Sequence, residues 1–239
     1  MRILALDCSA KAVSVAIAEE GRLIGEGFLN IPLTHSETLM PLMEQVLSNT
    51  RLTLQEIDAI AVTAGPGSFT GVRIGISAEK GLCFSEQKPT IAFSALEAMA
   101  LGFAGGAGAN GLLCGLMDAR REQFYNALFQ VDNGVVTRLT EDRIITAEAL
   151  RQELLDQYAN LPIILAGDGA ELFHTLTKQD TAFATVPPTQ LIQRAAGIAV
   201  FASRPEFHRP LTPPEALQPI YLRKSQAERE REAKLSASI

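Results

Sequence analysis

The 239-residue chain reads as an α/β protein in which one order of elements occurs twice. That order is strand, strand, turn, strand, helix, strand, glycine turn, helix. Three observations predict it. A short apolar strand ending in aspartate opens each half: Ile3 to Leu6 before Asp7, and Leu112 to Met117 before Asp118. Two further strands follow around a tight turn, Glu20-Gly21 in the first half and Asn133-Gly134 in the second. Each half then places a helix, a buried strand and a glycine turn, Gly65-Pro66-Gly67 and Gly167-Asp168-Gly169. A recurring βββαβα unit signals an internal duplication and two lobes facing a cleft.

The elements follow in order. Val13, Val15 and Ile17 alternate with small residues as a strand, and Leu23 to Leu29 returns. After Thr34-His35-Ser36-Glu37, the residues Leu39, Met40, Leu42, Met43, Val46 and Leu47 recur at the spacing of an amphipathic helix. Pro41 has no backbone donor, so this helix begins late or bends there. Ile57, Ile60 and Val62 form a strand that Gly65-Pro66-Gly67 stops. Ser68 and Thr70 can each cap the next helix, which runs to about Glu86.

Two readings of this turn stay open: a tight strand-to-helix turn, or an anion site at a helix N-terminus. The glycines at 65, 67, 71 and 75 do not fit the dinucleotide spacing, and no Gly-Lys-Ser/Thr follows. Gly71, Gly75 and Ala78 fall near one helix face. Glycine costs a helix about 1 kcal/mol relative to alanine, which predicts close approach by the protein's own sheet or by another protein's helix. A strand at Thr90 to Phe93 and a helix at Ser94 to Leu101 complete the first lobe. Gly102 to Gly111 holds five glycines and reads as the linker, dividing the chain at 1–103 and 104–239.

In the second lobe, Gln123 to Val131 and Val135 to Leu139 are strands. Thr146 caps a helix over Ala147 to Leu155, and Ile163 to Ala166 is a buried strand before a helix opening at Ala170 or Glu171. A final helix spans roughly Thr189 to Ala202. A proline-rich irregular segment follows, then a charged run, Ala227 to Lys234, to which no role is assigned.

Hydrophobic residues at 47% and charged residues at 20% suit a folded soluble protein. The net charge of −6 and pI near 5.2 exclude a generally basic surface. Cys8, Cys83 and Cys114 are unevenly placed, which points to reduced thiols and not to disulfides or zinc. The N-terminus reaches an acid too soon for a signal peptide, and no apolar run approaches a membrane span. These features predict a cytoplasmic protein that does not engage a membrane.

Two such lobes, ribonuclease H-like in pattern, match the actin/sugar-kinase/heat-shock ATPase (ASKHA) architecture. Active members need an acid followed by glycine in each lobe, for phosphate and magnesium. Asp7-Cys8-Ser9-Ala10 and Asp118-Ala119-Arg120-Arg121 lack that glycine; only Gly167-Asp168-Gly169 resembles the adenosine-contacting turn. His35, His174 and His208 form no metal-ligand pattern, so no metal is expected. Cys8 and Cys114 have no neighbouring histidine, as inert thiols would not.

The chain resembles the TsaB (YeaZ) family. The residues that carry the resemblance are Ile3-Leu4-Ala5-Leu6-Asp7-Cys8-Ser9, Thr34-His35-Ser36-Glu37-Thr38-Leu39-Met40-Pro41, and Gly65-Pro66-Gly67-Ser68-Phe69-Thr70-Gly71-Val72-Arg73-Ile74-Gly75. Asp118-Ala119-Arg120, Phe124-Tyr125 and Pro219-Ile220-Tyr221-Leu222-Arg223 fit in the same order. The resemblance implies a noncatalytic scaffold of the complex that forms N6-threonylcarbamoyladenosine (t6A) on tRNA. It implies pairing with the catalytic relative TsaD, the ATPase TsaE at that junction, and a homodimer when alone. Transferred to this chain, the partner face would comprise Leu39, Leu42, Met43, Val46 and Leu47 on one helix and Gly71, Arg73, Gly75 and Ala78 on the next. Asp7, Ser9, Gly67 and Ser68 would lie nearest any nucleotide. No cofactor is expected on this chain alone; ATP and magnesium would act in the assembled complex, and tRNA would be reached only through it. The alternatives are an active small-molecule kinase or ATPase of the same fold, and the metallopeptidase suggested by the family's older glycoprotease label, for which no metal-ligand pair is visible.

Overall fold

A computed structural model describes residues 1–106, 109–207 and 209–223. His208 and the charged run 227–234 lie outside the described residues. Strands β1 (Arg2–Asp7), β2 (Val13–Glu19) and β3 (Arg22–Leu29) form an antiparallel meander, and β4 (Ala59–Thr63) and β5 (Thr90–Phe93) extend it in parallel. The sheet order is β3-β2-β1-β4-β5. Strands β6 (Gly111–Asp118), β7 (Gln123–Asp132), β8 (Val135–Arg138), β9 (Arg143–Thr146), β10 (Ile163–Ala166) and β11 (Phe183–Thr185) build a second sheet of order β11-β10-β6-β7-β8, with β9 paired to β7. The two sheets therefore repeat one topology, the expected two-lobed ASKHA-like fold. The first lobe's fifth strand is the one expected at Thr90 to Phe93, and the second lobe adds two that were not expected, β9 and β11.

Both faces of each sheet are covered, so the central strands are apolar throughout and not alternating. On β1, Leu4 and Leu6 face helices α1 (His35–Thr50) and α2 (Phe69–Glu86). Ile3 and Ala5 face the opposite side, against α6 (Ala195–Ser203) and part of α3 (Ala95–Ala104). The second sheet packs α4 (Ala147–Tyr158) and α5 (Ala170–Leu176) on one face and α3 on the other. Helices α3 and α6 thus each join one lobe to the other. They cross closely: a Cβ on Gly197 would lie 2.7 Å from the backbone nitrogen of Gly102.

Several sequence expectations are corrected. Helix α1 starts at His35, not late, because the Glu37 carboxylate accepts from the Thr34 N–H at 3.1 Å and fixes the first turn. A bond from the Thr34 hydroxyl at 2.6 Å, together with that from its N–H, holds the exposed Glu37 carboxyl below its usual pKa. Pro41 is accommodated inside the helix on its exposed side. Ser68, not Thr70, caps α2, its hydroxyl accepting from the Gly71 N–H at 3.2 Å. The glycine-rich stretch begins inside α3, which continues to Ala104.

Strands β9 and β11 are four and three residues long, too short for a period to show in sequence. The final helix starts at Ala195, not near Thr189: Pro188–Gln190 form only a short 3-10 turn, and long-range bonds on either side of the extended Arg194 separate it from the helix. The Ser14 hydroxyl accepts from the Ala195 N–H at 3.1 Å, and the Gln193 side chain is drawn to Ser9.

The glycines of α2 behave oppositely under substitution. A Cβ at Gly71 would lie 2.1 Å from the Cys8 carbonyl oxygen, whereas one at Gly81 meets nothing within 4 Å. Gly71→Ala is therefore expected to lower stability by about 1–3 kcal/mol through overpacking. Gly81→Ala is expected to raise it by about 0.5–1 kcal/mol through helix propensity. Urea unfolding of the two variants checks both signs.

Candidate functional site

The floor of the cleft lies where β1, β4, β6 and β10 end. Asp7 closes β1 and is buried, 2% exposed. Its Oδ1 accepts from the Ser9 N–H at 2.9 Å and from the Ser9 hydroxyl at 2.8 Å. The Ser9 hydroxyl in turn accepts from the Gln193 side-chain N–H at 2.8 Å. Burial pushes the Asp7 carboxyl up from 3.8 to about 6, against the lowering effect of the Ser9 bonds and of Thr63. Its second oxygen has no hydrogen-bond partner among the described residues. Asp7 is thus turned onto its own loop.

The glycine turn presses on the same loop. A Cβ at Gly67 would lie 2.1 Å from the Ser9 carbonyl oxygen, which also accepts from the Ser68 N–H at 2.8 Å. Of the expected nucleotide-proximal set, the structure therefore brings together Asp7, Ser9, Gly67 and Ser68. It also commits the N–H groups of Ser68 and Gly71 to internal acceptors, in line with a tight capped turn. Across the cleft the second glycine turn repeats the contact, with a Cβ at Gly167 only 2.0 Å from the Leu116 carbonyl oxygen. Asp168 in that turn has a carboxyl raised by burial, opposed by a hydrogen bond from the Asp118 backbone and by the charge of Lys11. Asp118 itself accepts from the Arg120 N–H at 2.7 Å.

The C-terminal residues complete this region. Ile220 donates its N–H to the Ala64 carbonyl at 2.7 Å, so residues 219–223 lie over the glycine turn. The Tyr221 ring stacks on Phe69 at 4.7 Å, and Arg73 donates from Nε to the Tyr221 hydroxyl at 2.7 Å. Arg223 reaches the second lobe, donating to the Ala119 carbonyl at 2.6 Å and to the Gln123 side chain.

The expected partner face divides. Leu39, Leu42, Met43, Val46 and Leu47 are all buried in the first lobe's own core, against the sheet. Glycines on β3 admit them: a Cβ at Gly27 would meet the Leu42 side chain at 2.6 Å. Gly71 and Gly75 also face inward, Gly71 under the Cys8 carbonyl and the His35 ring, Gly75 over Cys8 and Val62. In the folded lobe these seven residues therefore face its own core. Arg73 is exposed and Ala78 half-buried.

The outward stripe of α2 is Thr70, Arg73, Ser77, Gly81 and Phe84, at steps of three and four. Phe84 is 80% exposed, the most open large apolar residue of the described chain, and Met40 on the neighbouring α1 is 38% exposed. Sequence reasoning assigned no partner role to Met40, Gly81 or Phe84. The available signal was Phe84 falling three residues after an interior-helix glycine, off the main apolar stripe.

The three thiols are buried, and burial raises each; Cys114 is pushed up to about 12. Thiols so placed are poor nucleophiles. His35 contacts the Ala12 carbonyl and His174 the Thr185 hydroxyl. Among the described residues no three His, Cys, Asp or Glu side chains gather as a metal site would need, and no helix is long and apolar enough to cross a membrane.

Residues 32–203 match the family model described as "TsaD: tRNA N6-adenosine threonylcarbamoyltransferase". The chain is 34% identical over 173 residues to the tRNA threonylcarbamoyladenosine biosynthesis protein TsaB of Bacillus subtilis, covering 72% of this chain and 73% of the relative. It is 32% identical over 179 residues to TsaB of Escherichia coli, covering 75% and 76%. The solved structure of YeaZ from Pseudomonas aeruginosa superposes with a TM-score of 0.75 at 29% identity, over 92% of this chain and 99% of that one.

The Asp7 carboxyl yields a pH test. A native pKa near 6 against 3.8 costs the ionised native state about 3 kcal/mol. The native state holds the proton more tightly than the unfolded chain, so this contribution favours folding below pH 4. It is lost as pH rises through 6. Asp7→Asn keeps an acceptor for Ser9 and removes the charge. It should exceed the parent in stability at pH 7, by an amount that narrows as pH falls from 6 to 4. Denaturant unfolding at several pH values measures that gap.

Proposed function

Given that the chain belongs to the TsaB (YeaZ) family of tRNA threonylcarbamoyladenosine biosynthesis proteins, we propose that it is the noncatalytic scaffold subunit of the complex that forms t6A on tRNA. The chain serves that pathway, and its catalytic partner is a TsaD protein, with the ATPase TsaE joining at the junction. The observation that carries the reading is the outer stripe of α2, where Phe84 stands 80% exposed beside Gly81. A large apolar side chain next to a glycine with open space above it suits close packing by a partner helix. Used by a second copy of the chain, the same surface would make the homodimer of the isolated protein.

The cleft supports the noncatalytic part. A phosphate-binding acid has to face the cleft, whereas Asp7 is buried and bonded to Ser9, and Ser9 is held by Gln193. ATP and magnesium belong, on this reading, to the assembled complex in the cytoplasm and not to the chain alone.

Two measurements test the proposal. With TsaD, TsaE and the threonylcarbamoyl donor supplied, t6A should form on tRNA only when this chain is added, and the chain alone should yield none. Equal product without it would sink the scaffold reading. Phe84→Glu should weaken pairing with TsaD about tenfold or more, the scale of a central interface residue. Its thermal unfolding should match the parent, since the side chain is exposed. Undiminished pairing on size-exclusion chromatography would remove the α2 stripe from the interface.

A further inference from the structure

The mouth of the cleft gathers cations in a chain whose net charge is −6. Arg120 and Arg121 sit at the tip of the β6–β7 turn, and the Arg120 side chain is 86% exposed. Arg223 anchors at the base of that turn, on Ala119 and Gln123. Two residues earlier Tyr221 binds Arg73. Lys11, exposed on the loop after β1, acts electrostatically on Asp168, which accepts from the Asp118 backbone at the foot of the same turn. These contacts bring five cations from four separate segments to one rim: Lys11, Arg73, Arg120, Arg121 and Arg223. The carboxylates around it are Asp118, Glu122 and Asp168, with Glu148 and Glu171 exposed in the first turns of α4 and α5. Asp118 accepts from the Arg120 N–H and pairs with the exposed Arg120 guanidinium at 3.9 Å, and Asp168 is largely buried. The rim thus concentrates five cations in a chain of net charge −6.

Aromatic rings lie among these cations. Tyr221 is 40% exposed, stacked on Phe69 at 4.7 Å, with the Arg73 guanidinium 3.9 Å above the Phe69 ring. Cations that can pair with phosphates, set around an exposed stacked ring, match the chemistry of an unpaired nucleic-acid strand. An acidic protein surface would use the charges but has no need of the ring.

We infer that this rim, Lys11, Arg73, Arg120, Arg121, Tyr221 and Arg223, is an RNA contact surface. The arginines hold the phosphodiester backbone and Tyr221 receives an unstacked base. The inference rests on the tRNA-modification reading above and extends it, giving the scaffold a direct part in holding the RNA. It also locates that contact at the cleft mouth, where it shares only Arg73 with the outer stripe of α2 and leaves Ser77, Gly81 and Phe84 to the protein partner.

The test substitutes the turn. Arg120 and Arg121 have φ of 67° and 58°. Asparagine tolerates that conformation, so Arg120→Asn/Arg121→Asn removes two charges and keeps the turn. Affinity for tRNA is measured by fluorescence anisotropy across a salt series, with the assembled complex and with the chain alone at low salt. The double variant should bind about tenfold more weakly, with the slope of log K against log salt reduced by about 2. Tyr221→Leu should weaken binding about fivefold or more with little change in slope.

Pairing with TsaD, followed by size-exclusion chromatography, should be unchanged in both variants. Affinity and slope equal to the parent's would overturn the inference, as would absence of RNA binding by both complex and chain. Reduced pairing with intact RNA affinity would also overturn it, marking the rim as a surface for an acidic protein. If the parent chain fails to pair with TsaD, the scaffold reading fails instead. The RNA comparison on the chain alone then still decides this inference.

Discussion

The structure depends on a contact between backbones: in each lobe, a carbonyl near the end of the first strand presses on the glycine turn that leads from a later parallel strand into its helix. In the first lobe the carbonyls of Cys8 and Ser9 leave room for no side chain at Gly71 and Gly67. In the second, Leu116 does the same at Gly167. A Cβ placed about 2 Å from a carbonyl oxygen is excluded outright, so glycine is required there whatever its helix propensity. The contact sets the first turn of α2 directly against the loop after β1. That loop is where an ATPase of this fold would need space for phosphate. Here Ser9, the Ser68 N–H and Gln193 fill the region with internal hydrogen bonds.

The same contact explains how α2 can carry three surfaces. Its inner face, with Gly71 and Gly75, is consumed by the sheet. Its N-terminal end, with Phe69 and Arg73, is braced by Tyr221 from the far end of the chain. Its outer stripe from Ser77 to Phe84 is left to solvent. Close packing on the inner side therefore decides which glycines remain on the outer one.

Features encoded by neighbouring residues were legible in the sequence. The duplicated order, the hairpin turns, the Ser68 cap and the apolar face of α1 all follow from local chemistry. The direction of the small residues on α2 was not legible, because a glycine at i and i+4 suits an internal sheet and an external helix equally. Only the positions of Cys8 and Val62, far away in sequence, settle that Gly75 faces inward. The start of α6 was missed for a similar reason, since its hydrogen bonds run to Ser9 and Ser14, about 180 residues earlier. Helices α1 and α2 were found as elements, but the residues named on α1 were those that define its buried stripe. Periodicity identifies the face a helix hides; what it shows to a partner is the remainder.

Net charge misled in a comparable way. A chain of −6 reads as unsuited to nucleic acid, yet an average over 239 residues carries no information about one rim. The cations at the cleft mouth come from residues 11, 73, 120, 121 and 223, and only the fold assembles them. Arg223 helps to do so by spending its donors on Ala119 and Gln123, which ties the C-terminal segment, packed over the first lobe, to the turn of the second. A residue used as a brace still contributes its charge to the surface it braces. The duplicated fold thus keeps the two-lobed cleft while its floor is closed by internal bonds, and its remaining polar capacity lies at the rim.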